Sequence, residues 1–433
     1  MKELRGRDLL WVGFTLFSMF FGAGNLIFPP FLGAQAGTLT WLAMPGFALS
    51  AIGLPVLGVV AVAKSGGLQA LGARVHPYFA AVFTLLIYLS IGPCLAIPRT
   101  ASTSFEMAVT PFTQTGSTLR LAYSVLFFAV AAALALRPEK LTDRLGKVLC
   151  PALITLIVIL FVGCIAHPVA SGYGTVADTY RSLPTVRGFL DGYQTMDAIA
   201  ALNFGAIIAL NVRARGITDD RAVVRGTIHA GFIAGAIFLI IYSMLAHIGA
   251  LSGAAFPGGE TGADTLTRLV AALFGRYGNV LLAAIFVIAC LNTCIGLLSC
   301  CSDYFHNLVP RVSYRMWVVF FAAISVVIAN LGLAAILKVT LPVLNAIYPP
   351  AIMLIVLALG GKALYARRAV YPLTIGCTSV VSVVSALAGA GLSIPFLANA
   401  FARIPLASLG LGWVIPALCG LVIGMIVSPR YAA

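Results

Sequence analysis

Long apolar runs alternate with short polar segments along the whole chain, and twelve of the runs are long enough to cross a bilayer as helices. They begin near residues 9, 40, 77, 119, 146, 190, 223, 279, 314, 333, 371 and 407. No polar segment between them has the length of a soluble domain. The pattern therefore predicts one all-α, polytopic membrane domain over residues 1–433, with twelve transmembrane helices.

The first apolar run is interrupted in its middle. No charged residue occurs from Leu9 to Leu32, but Gly22-Ala23-Gly24-Asn25 lies halfway along and Pro29-Pro30 follows. Glycine with asparagine favours unwinding, and each unpaired N–H or C=O in hydrocarbon costs several kcal/mol unless it lines a cavity or binds something. We interpret the break as a ligand site, and the alternative is a close, glycine-rich helix crossing.

A second run has the same character. The sixth begins Asp191-Gly192-Tyr193-Gln194-Thr195-Met196-Asp197, with polar residues at membrane depth, and its Phe204-Gly205-Ala206 repeats Phe21-Gly22-Ala23. The two tripeptides fall in the first helices of consecutive five-span blocks, and an odd number of spans inverts the second block. We predict inverted repeats at about 9–167 and 190–360, with additional helices at about 371–428. Paired breaks of this kind indicate a transporter binding site.

The composition excludes a soluble globular protein. Of 433 residues, 61% are hydrophobic and 9% are charged, with a mean hydropathy of +1.04. A net charge of +14 is also typical of nucleic-acid binders, but here the basic residues form short clusters between the apolar runs. Most of these clusters fall on the side of the N-terminus, which predicts that both termini are cytoplasmic. Arg99 is among the few basic residues assigned to outer loops.

The N-terminus has an alternative interpretation as a signal peptide. Lys2, Arg5 and Arg7 precede the first apolar run, and Ala34-Gln35-Ala36 resembles a cleavage site. The run is longer than the roughly 7 to 15 apolar residues of a signal peptide, so we expect it to remain as a membrane span.

Four motifs connect the chain to a known family. They are the run from Gly13 to Pro30, Ile97-Pro98-Arg99-Thr100-Ala101 after the third span, Gly192 to Asp197, and Tyr348-Pro349-Pro350-Ala351-Ile352 in the tenth span. In these motifs, and over essentially its whole length, the chain closely resembles the bacterial branched-chain amino acid:cation symporters, the BrnQ-like family. The resemblance implies sodium-coupled import of leucine, isoleucine and valine by alternating access in the bacterial cytoplasmic (inner) membrane. It also implies a LeuT-like five-plus-five inverted fold within the amino acid/polyamine/organocation group.

More distant sodium symporters of that fold carry two of the same segments. A Gly-x-Gly-Asn break in span one corresponds to Gly22 to Asn25, and Phe-Gly-Ala-Ile-Ile in span six corresponds to Phe204 to Ile208. The resemblance implies that the amides of Ala23 and Gly24 meet the substrate carboxylate and that Phe204 covers the substrate side chain. The residues expected to bind substrate are Gly22, Ala23, Gly24, Asn25, Tyr88, Asp197, Ala201, Asn203 and Phe204.

The sodium site shared across that fold uses carbonyls of span one together with carbonyl and hydroxyl oxygens of span eight. By the same resemblance, the sodium ligands of this chain are Ser18, Phe21, Ala289, Asn292 and Thr293. Asn292 stands where those relatives usually have a hydroxyl, and an amide oxygen can also ligate sodium.

Asp197 is the one acid that the pattern places well inside the membrane, where a charge costs roughly 2.5 to 3.5 kcal/mol on insertion scales. Its possible functions are to bind the substrate ammonium, to ligate a cation or to carry a proton. The structural alternatives are a cap within span six or a pair with an outer-loop arginine. Tyr88 either closes the pocket from outside or is an ordinary core tyrosine. The polar segment from about Ser252 to Gly278, helical from Asp264 to Phe274, is a candidate extracellular lid.

Rival functions are weighed against the same pattern. Cys290 and Cys294 lie one turn apart with Cys300 and Cys301 beyond, but no His or acid has the spacing of a metal site, so packing is favoured. An intramembrane enzyme would need a His-Glu-x-x-His motif or a nucleophile with a base. The pattern does not exclude a proton-coupled or uncoupled transporter of other small neutral amino acids, or a channel. We expect no catalytic residue, cofactor, nucleic acid or obligate protein partner, and only substrate, sodium and lipid as ligands.

Overall fold

The computed structural model describes residues 4, 6–113, 116–259, 261–392 and 403–428, and every regular element in these ranges is a helix. The predicted all-α class is confirmed for this part of the chain. Lys2, Arg5 and Arg430, which contribute to the predicted topology, lie outside the described residues.

The chain forms helices from Gly6 onward, joined by short turns. In the first half they are α1 (Gly6–Phe20), α2 (Ala23–Ala36), α3 (Thr40–Ala48), α4 (Leu54–Ser65), α5 (Leu68–Ala73), α6 (Pro77–Ile91), α7 (Ala96–Ala108), α8 (Ser117–Ala135), α9 (Cys150–Ala166) and α10 (Asp178–Arg181). In the second half they are α11 (Pro184–Tyr193), α12 (Asp197–Arg213), α13 (Asp220–Ala255), α14 (Gly262–Phe274), α15 (Arg276–Leu308), α16 (Tyr314–Ala329), α17 (Leu333–Leu359), α18 (Gly361–Tyr365), α19 (Val370–Gly389) and α20 (Val414–Val427).

The protein is a multi-pass membrane protein. Eight helical stretches in the described residues are long and apolar enough to cross a membrane, and nine are if the bent pair α11 and α12 counts as one span. This count is lower than the twelve predicted spans for two reasons. Helical turns run without a gap from Ala23 to Ser65, so this stretch counts once, and the apolar helices α16 and α20 have only 16 and 14 residues.

Both predicted interruptions are present in the backbone. Helix α1 ends at Phe20, Gly22 is extended at φ −114° and ψ −161°, and α2 begins at Ala23. In the sixth apolar run, α11 ends at Tyr193 and α12 begins at Asp197 at an angle of 47°. Met196 adopts a left-handed conformation, with φ of +69°, in this second break. Such a conformation costs a residue with a side chain about 1 to 2 kcal/mol, so the surrounding packing must stabilise the bend.

A third interruption, which the apolar pattern did not predict, lies in the third apolar run. Helix α6 ends at Ile91 and α7 begins at Ala96, with Gly92-Pro93 between them. A Cβ on Gly92 would stand 2.3 Å from the Tyr88 carbonyl oxygen, so only glycine fits this turn. The helix then continues to Ala108, and the run Pro77–Ala108 has the length and hydropathy of one span. Arg99, predicted to lie in an outer loop, therefore lies in a helix that continues the third apolar run.

Close helix contacts surround the first span. Helix α13 packs along α2, and a Cβ on Gly249 of α13 would stand only 2.0 Å from the Pro30 carbonyl oxygen. Helix α14 also packs against α2, where a Cβ on Gly262 would stand 1.8 Å from the Ile27 carbonyl oxygen. Small residues permit such approaches, which supply van der Waals contact in a membrane that offers no hydrophobic driving force. The expected helix over Asp264 to Phe274 is confirmed as part of α14.

Candidate functional site

A cavity lies where the three interruptions meet. The first break contributes Gly22 to Asn25, the second contributes Thr195 to Asp197, and the first turn of α7 contributes Ala96, Arg99 and Thr100. The remaining lining side chains are mostly apolar: Met19, Phe20, Ile91, Ala200, Phe204, Thr293 and Leu297. The cavity therefore has one polar side, built from helix ends, and one apolar side.

Three helices begin at this cavity, namely α2, α7 and α12. The first N–H groups of a helix have no partner within the helix, and the peptide dipoles give this end a partial positive charge. Helix N-termini are for this reason common binding sites for carboxylates and phosphates. The breaks therefore do more than bend the spans, because they direct three electropositive helix ends toward one volume.

Asn25 links the two predicted breaks. Its Oδ1 accepts the Gly22 N–H at 2.9 Å, and its Nδ2 donates to Asp197 Oδ2 and to the Tyr242 hydroxyl, each at 2.5 Å. The Tyr242 hydroxyl donates in turn to Asp197 Oδ2 at 3.4 Å. All three side chains are at most 3% exposed. Asp197 therefore finds its partners in an amide from α2 and a phenol from α13.

Arg99 brings a positive charge to the cavity. Its Nη1 donates to Met196 Sδ at 3.5 Å, and a Cβ on Gly24 would stand 3.2 Å from its Nη2. The guanidinium thus lies between the first and second breaks. Among the described residues, no carboxylate oxygen forms an ion pair with Arg99, although Asp197 lines the same cavity.

Polar side chains without partners lie near the end of α1 and in the middle of α15, two helices that are in contact. Ser18 Oγ, both side-chain polar atoms of Asn292, and Thr293 Oγ1 are buried and make no hydrogen bond in the described structure. Thr293 is close to the first break, since a Cβ on Gly22 would stand 2.8 Å from its Oγ1. The Gly22 N–H donates to Asn25, so the carbonyls that end α1 lose a donor from the helix ladder. The segments of the expected sodium ligands, at the end of α1 and in the middle of α15, do lie side by side.

The cavity includes most, but not all, of the residues expected to bind substrate. Gly22, Ala23, Gly24, Asn25, Asp197 and Phe204 line it. Ala201 instead packs toward Gly58 of α4, and Asn203 is fully buried away from the lining. Tyr88 is also absent from the lining, because it precedes the break in the third span and its ring stacks on Tyr304 with centroids 4.0 Å apart.

Sequence reasoning missed the roles of Arg99 and Tyr242 at this site. Tyr242 carries no signal in the apolar pattern, because a tyrosine in a long span is an ordinary core residue. Arg99 had a signal: it stands in the motif Ile97 to Ala101, and Gly92-Pro93 shortly before it marks a helix break. Recognising that break extends the third span to include the arginine.

The solved structures that share this fold include the following two. The nucleobase-cation-symport-1 family transporter Mhp1, in a closed conformation with bromovinylhydantoin bound, aligns with a TM-score of 0.57 at 13% identity, covering 98% of this chain and 94% of that one. MhsT in complex with L-phenylalanine aligns with a TM-score of 0.51 at 14% identity, covering 98% and 99%. These likenesses define the class of fold: a helical membrane fold, here with a cavity where interrupted helices meet.

The particular family follows from the sequence. The family model for the branched-chain amino acid transport proteins matches residues 5–430, and the chain belongs to this family. It is 42% identical to the branched-chain amino acid permease BraB of Bacillus subtilis, over 98% of this chain and 96% of that protein. It is 40% identical to the branched-chain amino acid transport system 2 carrier protein of Pseudomonas aeruginosa, over 98% and 97%. It is 37% identical to the permease BrnQ of Escherichia coli, over 98% and 96%. The protein is a transporter and not an enzyme.

Proposed function

We propose that the protein is a sodium-coupled symporter that imports leucine, isoleucine and valine across the bacterial cytoplasmic membrane by alternating access. The observation that carries the proposal is that Ser18, Asn292 and Thr293 have buried polar atoms without partners and that Thr293 lines the cavity of the helix breaks. A buried polar group without a partner costs about 1 to 3 kcal/mol, so this group favours a bound species that satisfies it.

Sodium fits these atoms by its chemistry. Hard cations of this kind bind carbonyl, amide and hydroxyl oxygens without needing thiolate or imidazole. Ser18 and Thr293 offer hydroxyls, Asn292 offers an amide oxygen, and Phe21 and Ala289 add carbonyls in the proposed ligand set. A proton would use Asp197 instead, which makes proton coupling the principal alternative for the same cavity.

The substrate fits the two sides of the cavity. A branched-chain amino acid has a charged end, which we place at the helix N-termini and Asp197, and an apolar side chain, which we place against Phe20, Phe204 and Leu297. Phe20 and Phe204 already pack edge to face with centroids 4.9 Å apart. One methylene contributes only about 1 to 3 kcal/mol in an apolar pocket, so the preference among leucine, isoleucine and valine should be modest.

Binding of sodium and binding of substrate are coupled through the proximity of Gly22 and Thr293. Thr293 Oγ1 belongs to the proposed cation site and also contacts the first break, whose amides face the substrate. A cation that holds Thr293 and the end of α1 in place therefore stabilises the conformation of Gly22 to Asn25 that binds substrate. Each ligand then raises the affinity for the other, as linkage requires.

The topology we propose is that of the whole inverted fold. It has twelve spans, inverted repeats at about 9–167 and 190–360, additional helices at about 371–428, and both termini in the cytoplasm. The corresponding positions of the breaks after α1 and after α11 support the repeat, and the basic clusters between spans support the orientation.

Uptake of labelled leucine into proteoliposomes tests the proposal, with sodium and proton gradients imposed separately. We expect uphill accumulation with an inward sodium gradient and none with a proton gradient alone. Accumulation driven only by protons would favour the alternative through Asp197. Entry that stops at equal concentrations under both gradients would identify an uncoupled transporter. If excess alanine competes as strongly as valine, the substrates include other small neutral amino acids.

A further inference from the structure

We propose that Arg99 binds the α-carboxylate of the transported amino acid and selects substrates that carry this group. The inference rests on the proposed transport of branched-chain amino acids and names the residue that recognises their common charged end. Its starting point is the position of the guanidinium in the cavity, between Gly24 of the first break and Met196 of the second.

The hydrogen bonding of Arg99 is far from complete. A guanidinium has five N–H donors, and among the described residues it makes one side-chain hydrogen bond, to the thioether of Met196. Sulfur is a weak acceptor, so this contact compensates little of the hydration that the charge has lost. A cation inside a transmembrane helix normally pairs with an anion or lines a water-filled path to a substrate. Most N–H donors of Arg99 therefore have no acceptor among the described residues, and a bound anion would supply one.

Asp197 does not fill this role. Its Oδ2 accepts from Asn25 and Tyr242, and no ion pair within 4.0 Å joins it to Arg99 in the described part of the chain. The two opposite charges thus line one cavity while remaining apart. An α-amino acid carries the complementary arrangement, a carboxylate and an ammonium on one carbon. We place the carboxylate at Arg99 and the ammonium on the side of Asp197.

Arg99 adds to the expected backbone contacts. It stands next to Gly24, whose amide, with that of Ala23, is expected to meet the same carboxylate. Arg99 also lies in the first turn of α7, where the helix dipole adds positive potential. A guanidinium can hold both carboxylate oxygens at once, which an ammonium cannot do. This geometry predicts discrimination between leucine and leucinol, which keeps the side chain and ammonium but has a hydroxyl in place of the carboxylate.

The test is the ratio of the dissociation constants for leucinol and leucine, measured in detergent at saturating sodium by competition with labelled leucine or by calorimetry. We expect the wild-type protein to prefer leucine by at least about 30-fold, and Arg99→Gln to weaken leucine binding by about 30-fold or more, as for other truncated charge pairs. The same variant should change leucinol binding by less than about 3-fold, so that the ratio falls toward one. Arg99→Lys should give an intermediate ratio, because it keeps the charge and loses the paired donors.

Arg120→Gln is the matched control. Arg120 lies on α8 with its guanidinium 5.7 Å from the centre of the Phe105 ring, and it is not part of the cavity lining. We expect this variant to keep the wild-type ratio. The double variant Arg99→Gln with Asp197→Asn tests whether Arg99 serves only as a counter-ion of Asp197. If it does, removing both charges should restore leucine affinity. If Arg99 binds the carboxylate, affinity should stay low.

Three results would overturn the inference. They are a wild-type ratio below about 3-fold, an Arg99→Gln ratio equal to that of the wild type, and leucine affinity restored in the double variant. The wild-type ratio needs no variant to fold, so a value below about 3-fold overturns the inference even if Arg99→Gln cannot be purified. Failure of the wild-type protein to bind leucine, isoleucine or valine at all would instead contradict the proposed function.

Discussion

The absence of a side chain at Gly24 is what lets the first break, the second break and Arg99 come together. A Cβ here would stand 3.2 Å from Arg99 Nη2 and 3.4 Å from the Thr195 Cα. Contacts of this length leave room for a methyl only if the neighbours move, and none for a branched side chain. The backbone of α2 can therefore come close to Arg99 and to the second break at this position.

Gly24→Val should abolish leucine binding while the protein still inserts in the membrane, because the valine methyls occupy the space between the guanidinium and the break. Gly376→Val in α19 is the control, since no atom lies within 4 Å of a Cβ placed on Gly376. Leucine binding by purified, detergent-soluble protein is the measurement. Unchanged affinity in Gly24→Val would remove the first break from the substrate site.

Thr293→Ala should raise the sodium concentration needed for half-maximal leucine binding by about 10-fold, because one ligand oxygen of the proposed cation site is lost. Affinity for leucine at saturating sodium should change little. Thr155→Ala is the matched control: Thr155 is exposed on α9 and its hydroxyl bonds to the Pro151 carbonyl. A sodium dependence equal to that of the wild type would exclude Thr293 as a ligand.

Helices α2, α12 and α13 are held together by one small polar network rather than by apolar contact alone. Asn25 satisfies the free Gly22 N–H of the first break and, through Asp197, the start of the helix after the second. Tyr242 joins the network from α13. In a low-dielectric interior such a network is stabilising only when every polar group in it is paired. Removing one member leaves the others without a partner, which costs free energy. The two breaks are therefore expected to move as a unit.

Asp197→Asn tests whether this network does more than hold the helices. We expect transport to fall at least about 10-fold, with insertion and purification yield retained, because the amide keeps the shape and loses the charge that faces the substrate. Asp191→Asn is the control: Asp191 is a second buried acid of the same interrupted span, bonded to Tyr180 and Arg187 outside the cavity lining. Normal transport by Asp197→Asn, measured in proteoliposomes, would make Asp197 structural.

The whole transporter should move one net charge in each cycle. A zwitterion is neutral, so one accompanying sodium ion carries the charge, and 100 mV acting on one charge supplies about 2.3 kcal/mol. With equal sodium on both sides and an inside-negative potential of 100 mV, leucine should accumulate roughly 50-fold in proteoliposomes. A potassium diffusion potential of opposite sign is the control and should suppress uptake. Uptake that is indifferent to voltage would contradict a stoichiometry of one sodium per amino acid.

The class of structure could be predicted from the apolar pattern because a bilayer permits so few solutions. Without water to pair with the backbone, a long apolar run can only be a helix, and such runs can be identified directly from the sequence. The two breaks could be predicted for the same reason. Gly22-Ala23-Gly24-Asn25 and the polar residues before Asp197 cannot continue an apolar helix without a cost in free energy. Six of the nine residues expected to bind substrate line the cavity because they belong to those breaks.

Residues from other spans were decided by tertiary structure alone. Arg99 and Tyr242 come from the third span and from α13, far along the chain from Asp197, and no period or spacing specifies which helix faces which. Tyr88 was expected at the site but does not line the cavity, because most of the lining residues of its span follow the break at Gly92 and its own ring stacks on Tyr304. The sequence by itself thus determined a helical membrane transporter with two interrupted spans. Packing decided which charges and hydroxyls meet between them, since that depends on contacts between helices that the local pattern does not encode.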